Sequence, residues 1–464
     1  MSGLPLPPAM VAARAAGALS RLRGGGATSV PGMVLGKLRP DAISLLSSRL
    51  SAGSAVISAT NGKTTTAAMA ASILELGGTR LVHNSAGANM AGGVTSSLLA
   101  ASRYGGGIDG ELGLFEVDEA WLAPVCEQLR PKAIALCNLF RDQLDRYGEL
   151  EAIAERWEQT VHDGPGASAH LVLNADDPLV ADLGREREAV LYFGVEDDGV
   201  ALPGMAHAAD AKRCRHCGAA YVFDAIYLGH LGRYHCPSCG RRRPQPTVLA
   251  SEIALHGVSS ASFTLTTPQG AARVELPLPG LYNVYNALAA AALASVLGMP
   301  PQHIAQGLGA SKAAFGRAET VRVAGREVRI LLVKNPAGAN EVLRTLALEP
   351  GEHDLLGILN DKIADGRDVS WIWDADFETL SGHLRSVTCA GTRAAELALR
   401  LKYAGVESER ITITPSIEAA LAQAAASKPA DGQTQTLYAL PTYTAMLELR
   451  ALLVRRGEAD GHWT

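Results

Sequence analysis

At 464 residues the chain is longer than one ordinary core organises, so two or three domains are expected. Apolar residues at 47% and charged residues at 19% exclude a disordered or fibrous chain, and a formal net charge of −5 gives no support to nucleic acid as the main partner. Seven unevenly placed cysteines do not make a secreted disulfide framework, and no run of eighteen uninterrupted apolar residues predicts a transmembrane helix.

Residues 1–45 read as a basic N-terminal segment. No acid occurs before Asp41, whereas Arg14, Arg21, Arg23, Lys37 and Arg39 are present. Transit peptides share that bias, but Arg14 interrupts the apolar part and makes a poor signal peptide. A basic helix with a solvated face, leading into the fold, is the expectation.

From residue 46 to 311 apolar runs alternate with helical patterns. "SAVISAT" predicts a strand and "TTTAAMAASILELGG" a helix that ends in glycines. Between them lies Thr60-Asn61-Gly62-Lys63-Thr64-Thr65, which departs from the G-x-x-x-x-G-K-[ST] phosphate loop because Ile57 stands where the first glycine belongs. A strand, this loop and a helix would still aim backbone N–H groups and a positive helix end at phosphate. In that arrangement Lys63 reaches the β- and γ-phosphates of a nucleotide, and the Thr64 hydroxyl holds Mg²⁺. "LGLFEVDE", "AIALCNLF" and "AHLVLNADD" predict further strands of a parallel-rich, doubly wound sheet. Glu116, at the end of the first of them, is a second candidate for Mg²⁺.

The strand pattern dissolves near Gly199 and resumes after Pro246. Within this gap, at 205–245, Cys214, Cys217, Cys236 and Cys239 form two C-x-x-C pairs separated by eighteen residues, each followed by glycine. Four thiolates at this spacing predict a structural zinc ribbon, and they leave no open position for an activated water. Neighbouring arginines would suit nucleic acid, but a small stapled module inserted in the first domain is the preferred reading. Cys126, Cys137 and Cys389 lie in apolar runs and are expected to be buried. The helix "YNVYNALAAAALASVLG" then restores the earlier style, and a second α/β domain is expected over 312–464. Its oddest stretch, Asn360 to Glu378, sets Asp365, Asp368, Asp374 and Asp376 around Trp371 and Trp373. Clustered acids of this kind are commonly a solvated turn.

T-N-G-K-T resembles the shortened phosphate loop of the Mur ligase superfamily, ATP-dependent amide-forming enzymes of peptidoglycan synthesis. Their loop usually reads G-T-N-G-K-T, so Ala59 replaces a glycine. "CNLFRDQLDRYGE", "LNADDP", "LPGLYNVYNALAA" and "FGRAE" match further motifs in the family's order. The resemblance implies a Mur ligase-type central ATPase domain, with Asn286 in the helix near the adenine and Arg317 reaching the γ-phosphate. Two departures stand out. Gln143 occupies the place of a Mg²⁺-binding histidine, and the downstream lysine that many members carbamylate is missing.

Together with the Cys₄ insert and the Asn360–Glu378 stretch, these motifs resemble the MurT subunits of lipid II isoglutaminyl synthase, from about residue 30 onward. That family implies ATP-dependent amidation of the D-isoglutamate α-carboxylate in the lipid II stem peptide, through an acyl phosphate. Lys63, Arg317 and Mg²⁺ would neutralise the transferring phosphoryl group. This chain has no G-x-C-x-G glutaminase elbow, so ammonia is expected from a GatD-like glutaminase partner. Asp368 would be lent to the partner's catalytic histidine, with Asp365 as the less favoured candidate. A cytoplasmic enzyme touching the inner face of the membrane through its substrate follows, with no nucleic-acid partner. Two alternatives stay open. One is a self-sufficient Mur or folylpolyglutamate-type ligase that uses an amino acid; the other is a non-enzymatic nucleotide-binding protein with a zinc ribbon.

Overall fold

The computed structural model describes residues 4–22, 29–84, 88–104, 107–142, 150–204, 209–312, 317–427 and 436–459. The first sheet is built from Gly53–Ser58 (β1), Leu81–His83 (β2), Leu112–Glu116 (β3), Ala133–Leu136 (β4), His170–Asn174 (β5) and Val190–Val195 (β6). A separate antiparallel hairpin follows, Val222–Leu228 (β7) and Leu231–His235 (β8), before Val248–His256 (β9), Ser260–Thr267 (β10) and Gly270–Leu276 (β11) return to the first sheet. Its order is β11-β10-β9-β6-β5-β4-β1-β3-β2. All pairings from β2 to β9 are parallel, and only β10 and β11 are antiparallel. β3 and β4 are buried along their whole length, as strands covered on both faces must be.

β1 lies between β3 and β4, which the chain reaches on opposite sides. In open α/β sheets such a reversal opens a crevice beyond the strand carboxyl ends. The phosphate-type loop and helix Lys63–Leu76 leave β1 at that crevice. Helix Leu281–Val296 packs beside it, with Thr66 bonded to Asn286, and its Ala287, Ala290, Ala291 and Ala294 are fully buried. Helix Pro301–Gly309 also packs tightly on it: a Cβ on Gly307 would sit 2.5 Å from Ile73 Cα.

The basic N-terminal segment is less solvated than its composition suggests. In helix Leu6–Leu22, Ala9, Met10 and Ala13 are buried. Arg14 donates through Nη2 to the carbonyls of Leu99 and Ser102 at the end of helix Ala91–Ala101, where a cation is favoured.

The second sheet comprises Arg317–Val323 (β12), Arg326–Leu331 (β13), His353–Ile358 (β14), Leu384–Ala390 (β15), Ile411–Ile413 (β16) and Leu437–Pro441 (β17). Its order is β12-β13-β17-β14-β15-β16, parallel except for β12. The two sheets meet through specific bonds. Arg329 Nη1 donates to Val258 O at 2.9 Å, and Val258 N donates to Glu349 Oε1 at 2.7 Å.

Candidate active site

The loop after β1 is fixed before any ligand arrives. Asn61 N donates to Asn138 Oδ1 at 2.8 Å, and Asn138 Nδ2 returns a bond to Asn61 O at 3.0 Å. Phe140 N donates to Thr60 Oγ1 at 3.1 Å. Gly62 has φ +83, and a Cβ there would lie 1.9 Å from Asn286 Oδ1, so only glycine fits. Asn286 is held in turn: its Nδ2 donates to Asn283 Oδ1 at 3.1 Å, and Thr66 Oγ1 donates to its Oδ1 at 3.3 Å.

Lys63 opens the following helix with its side chain buried. Its ammonium pairs with Glu119 Oε2 at 2.6 Å and donates to Ala59 O. Burial works against the Lys63 charge, but the carboxylates of Glu119, Asp118 and Glu116 outweigh it and raise the pKa above the ordinary lysine value. Burial likewise pushes Glu119 up, while Lys63 and Lys334 pull harder and leave it below the ordinary carboxylate range. Thr64 Oγ1 donates to Glu116 Oε1 at 3.0 Å, placing a hydroxyl beside a carboxylate. Glu116 is oriented through its backbone by Asn84, whose side chain bonds both its N–H and its carbonyl.

These groups line a cavity of about 730 Å³. Thr60 to Thr65, Glu116 and Asn286 all reach it. Several lining residues were not singled out from the sequence: Asn138, Glu119, Asp142 and, from the second sheet, Lys334. Two other expected residues cannot be placed in the cavity. Arg317 begins β12, but its side chain is not described, and Gln143 lies outside the described residues.

The four cysteines of the insert converge, with all four Sγ atoms within 4.8 Å of one another. Cys214 Sγ lies 3.6 Å from Cys239 Sγ, and Cys217 Sγ lies 3.4 Å from Cys236 Sγ. Gly218 N donates to Cys214 O at 2.8 Å and Gly240 N to Cys236 O at 3.0 Å, closing two tight turns that require their positive φ values of 73 and 75. Such a donor set fits tetrahedral zinc. His235 stands apart from the thiols and pairs with Asp224 at 3.2 Å. The insert is also more than an outlying staple. At the other end of the hairpin Leu228 and Leu231 line the cavity, and Gly232 N donates to Asp176 O at 2.9 Å.

The acidic and aromatic stretch separates its aspartates cleanly. Asp365 is buried and accepts from Thr444 N at 2.7 Å and Thr444 Oγ1 at 2.5 Å, capping helix Tyr443–Arg455. Gly366, with φ +83, turns the chain outward. Asp368 is exposed, and the bond from Ser370 N to its Oδ1 at 2.8 Å holds its carboxyl below the ordinary aspartate value. Nearby Trp373 is 49% exposed and meets the exposed Tyr403 edge-on, ring centroids 5.7 Å apart.

Comparison with known proteins agrees with this geometry. Residues 57–225 match the Mur ligase middle domain, and residues 332–446 match the MurT ligase C-terminal domain. The lipid II isoglutaminyl synthase (glutamine-hydrolyzing) subunit MurT of Streptococcus pneumoniae is 33% identical over 440 residues, 94% of each chain. The Staphylococcus aureus subunit is 32% identical over 95% of each. Among solved structures, a pseudomurein peptide ligase type C from Methanothermus fervidus superposes with a TM-score of 0.68 at 22% identity, covering 89% of this chain and 80% of that one. Mycobacterium tuberculosis folylpolyglutamate synthase, complexed with ADP and AMPPCP, gives 0.61 at 16% identity, covering 90% and 95%. The latter two likenesses are of fold. On sequence, domain matches and architecture together, the chain belongs to the MurT family, the Mur ligase-like subunits of lipid II isoglutaminyl synthase.

Proposed function

We propose that this chain uses ATP to activate the α-carboxylate of D-isoglutamate in the lipid II stem peptide, which ammonia then converts to D-isoglutamine. The observation that carries the reading is the arrangement of Lys63, Thr64 and Glu116 in one cavity, in a chain of this family.

The loop N–H groups and the start of helix Lys63–Leu76 suit the phosphates of ATP. Lys63 is already protonated, and its ammonium can exchange Glu119 for the transferring phosphoryl group. The Thr64 hydroxyl and the Glu116 carboxylate are hard oxygen donors that fit Mg²⁺. When bound there, Mg²⁺ supplies charge neutralisation on the phosphates. The resemblance assigns Asn286 to the adenine side and Arg317 to the γ-phosphate; Asn286 lines the cavity beside Gly62. Zinc in the Cys₄ cluster would be structural, holding the hairpin whose tip borders the cavity.

Ammonia would come from a GatD-like glutaminase subunit. Asp368 suits the role of a lent carboxylate: it is exposed, held ionised and presented on a glycine turn, whereas Asp365 is committed to its helix. Among the described residues no helix is long and apolar enough to cross a membrane. The lipid carrier of the proposed substrate would bring the enzyme to the inner membrane face. Reconstitution with the glutaminase tests the reading. Lys63→Ala should abolish amidation while its circular dichroism stays unchanged, and full activity in that variant would defeat the assignment.

A further inference from the structure

A lysine from the second sheet enters the site over the phosphate-type loop. Lys334 follows β13, and its Nζ donates to Thr60 O at 3.2 Å and forms an ion pair with Asp142 Oδ2. The next residue fixes this position from both sides. Asn335 Oδ1 caps helix Pro336–Ala347 through Gly338 N at 2.9 Å, while its amide pairs with that of Asn61. The lysine is therefore docked on the loop rather than swinging in solvent.

Its partner is poorly matched to keep it. The Asp142 side chain is only 8% exposed, and its Oδ1 has no hydrogen-bond partner among the described residues. Burial also favours the neutral form of that carboxyl. Five carboxylates, Glu116, Asp118, Glu119, Asp142 and Glu341, line the cavity, whereas Lys63 and Lys334 are its cations among the described lining residues. A polyphosphate entering such a site needs every ammonium it can reach. Apart from the cysteines, no group of three or more His, Cys, Asp or Glu ligand atoms converges among the described residues.

We propose that Lys334 is a catalytic residue: it exchanges Asp142 for the γ-phosphate of ATP and stays on that group as it passes to the substrate carboxylate. This rests on the ATP-dependent reading given above. In the step it serves, the bond from the γ-phosphorus to its bridging oxygen breaks and that electron pair leaves with ADP. A new bond joins the phosphorus to a carboxylate oxygen, and Lys334 keeps its proton throughout. The ion pair with Asp142 is then the resting position of a mobile charge, and the Thr60 carbonyl is its pivot.

The test uses the complex with its glutaminase, carrying Lys334→Met, Lys334→Gln or Lys334→Arg. Dissociation constants for Mg·ADP and for Mg·AMPPCP, measured by calorimetry, separate the γ-phosphate from the rest of the nucleotide. The neutral variants should bind ADP within about twofold of the unmutated complex, bind AMPPCP about tenfold more weakly or worse, and lose about a hundredfold in kcat, as expected for removal of one transition-state contact. Lys334→Arg should recover part of the AMPPCP affinity. Equal losses for both nucleotides would make Lys334 a docking strut and overturn the inference, as would unchanged AMPPCP binding. If the unmutated complex bound neither nucleotide, the ATP reading would fall and this inference with it.

Discussion

The side-chain amides of Asn61 and Asn335 hydrogen-bond in both directions, at 3.0 and 3.3 Å, across 274 residues of sequence. One belongs to the loop after β1, the other caps the first helix after β13, so the two sheets meet at the phosphate-type loop itself. Asn335→Ala removes the cap and leaves the Asn61 amide unpaired. Loss of such a cap costs about 1–2 kcal/mol, so the melting temperature should fall by a few degrees and the apparent KM for ATP should rise. An unchanged melting temperature would mean that the pair contributes nothing to docking.

Gly62→Ala meets two obstacles, a positive φ and a 1.9 Å approach to Asn286 Oδ1. Relief requires moving either the loop or the Asn286 side chain. ADP affinity should fall at least about tenfold, with a stability loss of about 1–3 kcal/mol from the strained backbone. Tight ADP binding by the variant would show that the loop is more plastic than its bonds to Asn138 indicate.

Much of this site is legible in the sequence because phosphate binding uses contiguous chemistry. A strand, Gly62-Lys63-Thr64 and a helix start place the needed groups within a few residues, and Glu116 ends the adjacent strand β3. Lys334 and Asn335 carry no such signal, since their proximity to Thr60 and Asn61 is created only when the second sheet docks. The same holds for the hairpin insert. Its C-x-x-C spacing announces a metal cluster, but nothing local says that Leu228 and Leu231 at the far end border the cavity. The choice of Asp368 over Asp365 becomes physical through Gly366 and Thr444, which turn one carboxylate out and bury the other.

Elemental analysis should find about one zinc per chain, as a Cys₄ site requires. Cys217→Ser should lower the soluble yield. Because the hairpin tip lines the cavity, zinc extraction by a chelator should also weaken ADP binding. Protein that carries no zinc and is equally stable would remove the metal from the account. Zinc loss with intact ADP affinity would instead confine the metal to local folding.

Asp368→Asn should leave ADP binding intact and lower glutamine-dependent amidation sharply, by up to about 10⁴-fold if the carboxylate orients a catalytic histidine. Free ammonia should restore part of the synthesis. The pH dependence has a definite sign. The Ser370 N–H bond lowers the Asp368 pKa, so its charge persists above the ordinary aspartate value and is lost only as pH falls through the lowered one. Asp368 titration should therefore not limit glutamine-dependent activity at pH 5 to 8. A mutant complex that hydrolyses glutamine at the unmutated rate would make Asp368 a surface acid.

The most direct measurement supplies the reconstituted complex with lipid II, ATP and either glutamine or ¹⁵N-ammonium, then follows ADP release and the mass of the stem peptide. One ADP is expected for each D-isoglutamine formed, with nitrogen from either source, and neither product with Lys63→Ala. Amidation without ADP release, or attachment of an intact amino acid in place of ammonia, would contradict the proposed reaction.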